Sequence, residues 1–231
     1  MKSEDTILAA IAGFVDTLSF VALFGLFTAH VTGNFVLIGA GVAGYGQDIL
    51  LKLMVFPAFI GGVVVSSVMV RSLSARHARH GARLLHAVQA VLMLGFCLAG
   101  VWAAPVGQPH GVAAIVAGVV GAFAMGVQNA HPKLIQRSGV PNTVMTGNVT
   151  QAILDVVDMF AADAAGSVRA AARSRFAQTA PAIVAFAIGA IAGAMGLRHL
   201  GFWALLAPAC ALAGLALTTG EHERAAAPGR I

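Results

Sequence analysis

The sequence predicts an all-α, polytopic membrane helix bundle with six spanning helices plus two re-entrant half-helices arranged as an inverted repeat. Three observations carry this expectation. Of the 231 residues, 58% are hydrophobic and only 10% charged, with a mean hydropathy of +0.86. A soluble domain carries roughly 25% charged residues, so this chain lacks the polar groups to cover its own surface and must face lipid. Its apolar residues gather into stretches as long as a bilayer crossing, about 20 residues. A set of polar motif residues also occurs twice along the chain.

Taken in order, the uninterrupted apolar stretches run from Ile7 to Phe27, Leu53 to Val70, Leu84 to Ala104, Val112 to Ala130, Phe176 to Leu197 and Phe202 to Leu217. Each is read as a spanning helix. The first is not expected to be a signal peptide, because Glu4 and Asp5 precede it and Asp16 falls in its middle. Two segments between these are too short or too charged to cross. Thr28 to Gly46 keeps only 12 residues between Asn34 and Gln47, and Val140 to Ala165 carries Asp155, Asp158 and Asp163; exposed to lipid these acids would be costly. Both are read as half-helices that enter and leave by the same face. The whole of 1–231 is then a single membrane domain, with repeat halves at about 7–104 and 112–217 and a polar tail at 218–231, which is expected to be solvated.

The formal charge of +5 and isoelectric point near 10.0 read as topology, since the arginines sit in short loops between apolar segments. With six spans and the Arg71 to Arg83 loop in the cytoplasm, that side holds Lys2, Arg71, Arg76, Arg79, Arg83, Lys133, Arg137, Arg169, Arg173, Arg175, Arg224 and Arg230, against Lys52 and Arg198 outside, 12 to 2. With eight spans the count is seven to seven. The positive-inside rule therefore selects six spans with both termini cytoplasmic.

The repeat is carried by informative letters. Gly13-Phe14-Val15-Asp16 precedes Thr32-Gly33-Asn34, and 113 to 114 positions later Gly126-Val127-Gln128-Asn129 precedes Thr146-Gly147-Asn148. Ala58-Phe59 and Gly62 recur as Ala185-Phe186 and Gly189 at an offset of 127. The loop Gly166 to Arg175 is expected to supply the extra length. Three spans and one dip per unit, an odd number of crossings, would invert the second unit relative to the first, an arrangement many transporters use.

Each Thr-Gly-Asn stands where a short helix starts. Thr or Asn can cap exposed amides, Gly permits close approach, and the first-turn N–H groups carry the positive end of the helix dipole. Two such starts related by an inverted repeat would form one small polar site near the midplane, with Thr32, Gly33, Asn34, Thr146, Gly147 and Asn148 as candidate substrate-binding residues; the plainer alternative is that they only cap and lock the bundle. Asp16, whose counterpart is the neutral Asn129, is an ionisable group at mid-span and a functional candidate by default. It could accept a proton, pair with a cation, or hold the unwound backbone of Thr32 to Asn34. His30 and His131 flank the motifs and could extend a proton relay; Gln128, Thr143 and Gln151 could line the same cavity.

Other features carry less. The basic loop from Arg71 to Arg83 suits orientation and anionic-lipid contact, and its His77 and His80 lack the carboxylate or cysteine that a metal site would need. Cys97 and Cys210 lie in apolar segments, so no disulfide framework is indicated. No nucleophile-and-base arrangement, Walker loop or dinucleotide fingerprint is present, and the chain is not expected to be an enzyme.

The same residues resemble a known family. Gly13-Phe14-Val15-Asp16, Gly25-Leu26-Phe27-Thr28-Ala29-His30-Val31-Thr32-Gly33-Asn34, Gln128-Asn129-Ala130 and Thr143-Val144-Met145-Thr146-Gly147-Asn148 are similar to the YoaK family of small bacterial integral membrane proteins, over about residues 7 to 217. The resemblance implies a bacterial cytoplasmic (inner) membrane location and, since the family is a domain of unknown function, no site roles. The expectation from the residues is a small-solute transporter or channel. A non-transporting membrane partner or assembly subunit is the alternative, and a membrane-embedded enzyme is further off. The expected partners are the lipid bilayer and a small solute or ion, with room for a homo-oligomer; no nucleic acid, cofactor or metal is expected.

Overall fold

The computed structural model describes residues 2–46, 48–73, 80–105, 111–135, 143–161 and 165–225. Among these the chain is helical, without a strand: α1 (Lys2–Ala22), α2 (Gly33–Val42), α3 (Ile49–Ser72), α4 (Gly81–Ala103), α5 (Val112–Leu134), α6 (Met145–Phe160), α7 (Gly166–Leu200) and α8 (Leu206–Ala225). Five helical stretches are long and apolar enough to cross a bilayer: Ser3–Ala22, Ile49–Ser72, Gly81–Ala103, Val112–Leu134 and Gly166–Thr218. The last, at 53 residues, would be about 80 Å long as one helix; a 3-10 turn at Gly201–Leu205, entered at φ +59 on Gly201, divides it into α7 and α8.

The core lies where α1, α4, α5 and α8 meet. On α1, Leu8, Ile11, Ala12, Val15 and Leu18 are buried, the i, i+3, i+4, i+7 spacing of one helix face. They pack with Met93 and Phe96 of α4, Ala117 and Met125 of α5 and Leu212 of α8. Large apolar side chains also point outward, among them Ile60, Val64 and Val68 on α3, Val91 and Leu98 on α4, and Ile188 and Ile191 on α7. Such a surface would be an aggregation hazard in water, and as a lipid-facing one it makes this a multi-pass membrane protein.

Glycines decide how closely the helices approach and in which direction. A Cβ at Gly189 would strike the Ala10 carbonyl and one at Gly193 the Phe14 carbonyl, so contacts advance together and α1 runs parallel to α7. Gly13 lies in the same way against the Phe186 carbonyl. The α3 and α5 pair repeats this packing, with Gly126 against the Phe59 carbonyl and Gly62 against the Phe123 carbonyl, at the positions that correspond in the sequence repeat. By contrast α1 and α5 run antiparallel: the Leu8 carbonyl accepts from Gln128 Nε2 at 2.8 Å, while Glu4, one turn earlier, faces His131, nearly one turn later.

Several boundaries depart from the sequence reading. The first helix ends at Ala22 rather than Phe27, because Phe24 (φ 55) and Gly25 (φ 75) adopt left-handed backbone. The half-helix expected over Thr28 to Gly46 is reduced to the ten residues of α2. Gly166 to Arg175, expected as a loop, is the first part of α7: its Arg-Ala-Ala-Ala-Arg run is strongly helix-forming, and Arg175 ties it to α6 through Asp155 (2.7 Å) and Asp158 (3.3 Å). Those pairings also answer how the acids of Val140 to Ala165 are accommodated; Asp163 lies outside the described residues, as do Gly139 to Asn142, His77 and most of the basic loop. α8 continues to Ala225, into the segment expected as a polar tail.

Candidate functional site

The site is built from a turn that folds back. After Ala22 the chain reverses through Phe24 and Gly25 and returns alongside α1. Asp16, only 4% exposed, receives it: Oδ1 accepts from the amides of Thr28 (2.9 Å), Ala29 (2.8 Å) and His30 (3.4 Å), and Oδ2 lies 2.7 Å from His30 Nδ1. Ser19, one turn on, donates to the Asp16 carbonyl and pairs with the Thr28 hydroxyl, both at 3.0 Å. Amides stripped of water at membrane depth need acceptors, and Asp16 supplies them. Of the roles left open for Asp16, this geometry is that of a backbone brace, acting on residues 28 to 30 rather than on Thr32 to Asn34.

Asn34 closes the same turn from its other end. Fully buried, it accepts from the Phe27 amide at 3.0 Å and donates to the Phe27 carbonyl at 2.7 Å. Gly33 lets this happen, since a Cβ there would lie 2.9 Å from the Phe27 ring. Thr32 stands before α2 but makes no side-chain cap bond, and neither does Val144 before α6. The motifs therefore stand at helix starts, as expected, yet the capping chemistry expected of Thr32 is absent among the described contacts.

In the second half Asn129 takes the place of Asp16 and accepts from the Thr143 hydroxyl, while its amide donates to the Met125 carbonyl at 3.0 Å. Between the returning turn of the first half and the start of α6 lies a cavity of about 510 Å³ bordered by His30, Thr32, Asn129, Thr143 and Thr146, with Phe35, Phe56 and Phe59 among its apolar walls. Phe35 and Phe56 stack there, their centroids 4.3 Å apart. His30 also borders a neighbouring cavity of about 420 Å³ that reaches Asp16, Phe27 and Phe186, with Phe186 edge-on to the imidazole at 5.3 Å.

The structure thus brings His30, Thr32, Asn129 and Thr146 to one cavity, with Asp16, Gly33 and Asn34 shaping the turn behind them. Gly147 and Asn148 follow Thr146 on α6, Asn148 being buried with its amide near the Met145 sulfur at 3.9 Å. Three candidates lie elsewhere. Gln128 accepts from Gln89 at 2.6 Å and donates to the Leu8 carbonyl, and His131 stacks on His86 with centroids 4.5 Å apart. Gln151 pairs with Asp155 at 3.0 Å, away from the cavity. Sequence reasoning passed over Ser19 and the aromatic walls; Ser19, three residues after Asp16, was the one legible signal, a second polar residue on the same helix face.

Comparison with known proteins gives a family and no chemistry. The family model described as "Protein of unknown function (DUF1275)" matches residues 6–218. The UPF0700 transmembrane protein YoaK of Bacillus subtilis (strain 168) is 26% identical over 152 residues, 65% of this chain and 65% of that protein's own length. No solved structure matches. Spanning both copies of the motif and every apolar helix up to residue 218, the family match makes the conclusion plain: this chain is a member of the DUF1275 family of unknown function, similar to YoaK.

Proposed function

We propose that the chain is a small-solute transporter or channel of a bacterial cytoplasmic membrane, with no catalytic reaction of its own, whose site is the cavity between the returning turn of the first half and the start of α6. The cavity itself carries this reading: about 510 Å³ of space bordered by both Thr32 and Thr146, where two copies of one motif meet. Its border offers hydroxyls, an amide and an imidazole among phenyl rings, and among the described residues no lysine or arginine, which suits an uncharged or cationic small molecule better than an anion.

The helix directions support six crossings in an inverted repeat. If α2 crossed the membrane, α5 would run parallel to α1, whereas they are antiparallel; if α6 crossed, α7 would not run parallel to α1. Lys52, at the start of α3, donates to the Phe24 carbonyl just past the end of α1 at 3.0 Å, as a segment that leaves by the face it entered requires. On this reading both termini are cytoplasmic and α2 and α6 are re-entrant. An embedded enzyme would use Asp16 with His30, but here the carboxylate also holds three backbone amides and the nearby hydroxyls of Ser19 and Thr28 pair with each other.

The test is uptake into vesicles containing the purified protein, across a panel of amines, amino acids, sugars and monovalent ions. At least one solute should enter faster than into empty vesicles, and Thr146→Trp, which fills the cavity, should abolish that entry while the protein still inserts. No uptake of any class, or uptake untouched by Thr146→Trp, would remove the reading. Single-cysteine labelling checks the topology: positions in 166–175 should react from the cytoplasmic face.

A further inference from the structure

A second polar cluster lies far from the cavity. Glu4 on α1, His86 on α4 and His131 on α5 are all buried, and one ligating atom from each lies within 4.8 Å of the others. Glu4 is 12 residues from Asp16, which places the cluster about 18 Å along α1 from it. Both imidazoles converge on one carboxylate oxygen: His86 Nε2 is 2.9 Å and His131 Nε2 3.8 Å from Glu4 Oε1.

We propose that Glu4, His86 and His131 bind a divalent transition-metal ion of the zinc class, clamping together one end of α1, α4 and α5. Two imidazoles and one carboxylate are a donor set that borderline divalent cations take, leaving a fourth position for water. Ligands about 2.0–2.2 Å from a tetrahedral ion stand a little over 3 Å from one another, and the spacings of 2.9 and 3.8 Å bracket that value. The His86 Nδ1 atom is buried and has no hydrogen-bond partner among the described residues, so its ring is oriented by what Nε2 faces.

The floor beneath the cluster is also built. One turn deeper on the same three helices, Gln89 donates to Gln128 at 2.6 Å and Gln128 to the Leu8 carbonyl at 2.8 Å, fixing α1, α4 and α5 where the ligands must be held. Sequence spacing hides this site, because its ligands come from three helices and stand 82 residues or more from Glu4. The proposal is independent of the transport reading.

The experiment uses the full chain in detergent, stripped with a chelator and titrated with Zn²⁺ alone. One ion per chain should bind at micromolar concentration or below, raising Tm by roughly 5–11 °C at 100-fold excess over Kd. Glu4→Gln, His86→Gln and His131→Gln should each weaken binding by roughly 100-fold, while a combined His77→Ala, His80→Ala and His222→Ala variant should keep it. Co²⁺ bound to the parent gives a readout that needs no variant to fold: intense visible bands of a low-coordinate site are expected. The weak absorption of solvated Co²⁺, the absence of Zn²⁺ binding, or binding lost only in the His77, His80 and His222 variant would overturn the proposal.

Discussion

The returning turn of the first half and the start of α6 in the second carry corresponding motifs in the sequence yet are held by different means. In the first half a carboxylate at residue 16 gathers three backbone amides and an imidazole, and Asn34 closes the turn with two bonds to Phe27. In the second half the described contacts of Asn129 are one hydroxyl and one carbonyl. Gly33 is pressed against the Phe27 ring, while among the described residues a Cβ at Gly147 would meet only Val144 at an ordinary 3.5 Å. Corresponding positions need not keep equal chemistry: among the described residues the first half has a carboxylate and a tightly packed glycine where the second has an amide and a glycine with room around it.

The largest effect should come from Asp16→Leu. It leaves three amides and His30 without their acceptor in a buried setting, a loss of about 3–5 kcal/mol, against about 1–2 kcal/mol for Asn129→Leu, which strands one hydroxyl. Thermal melting in detergent reads both, and equal losses would break the comparison.

Next is Asn34→Leu, which removes both bonds to Phe27 and should lower stability by about 2–3 kcal/mol; the melting curve checks it, and an unchanged Tm would mean the turn is held by Asp16 alone. Asp16→Asn is milder. It keeps one oxygen for the amides but sets an NH₂ or a second dipole against His30, at about 2 kcal/mol. Thermal melting reads this as well, and a loss as large as that of Asp16→Leu would show that the charge, rather than the acceptor oxygen, holds the turn.

The smallest and sharpest test is a difference in sign. Gly147→Ala should stabilise by up to about 1 kcal/mol, since it adds a good helix former with room for its methyl group. Gly33→Ala forces the Phe27 ring to shift and should destabilise by about as much, despite the same propensity gain. Matching signs in the two melting curves would show that the halves are packed alike.

What the sequence determined by itself was the class of protein and where its chemistry is repeated. Composition set the solvent, because 58% hydrophobic residues cannot be hidden in 231 positions, and apolar run lengths located α1, α3, α4, α5, α7 and α8 to within several residues at most ends. The two motif copies were equally legible, being local strings. Tertiary structure decided which polar groups meet. Asp16 was conspicuous on an apolar helix, but that it braces residues 28 to 30 depended on the left-handed reversal at Phe24 and Gly25, and a positive φ at a phenylalanine has no sequence signature. Gln128 and His131 sat beside a motif residue yet turned to other helices, since neighbours in an α-helix point about 100° apart. Glu4, His86 and His131 came together only when α1 and α5 packed in opposite directions. Hydropathy is a sum over neighbours in sequence and survives any arrangement of helices; a hydrogen bond is a distance between two atoms, and the packing of distant helices sets it.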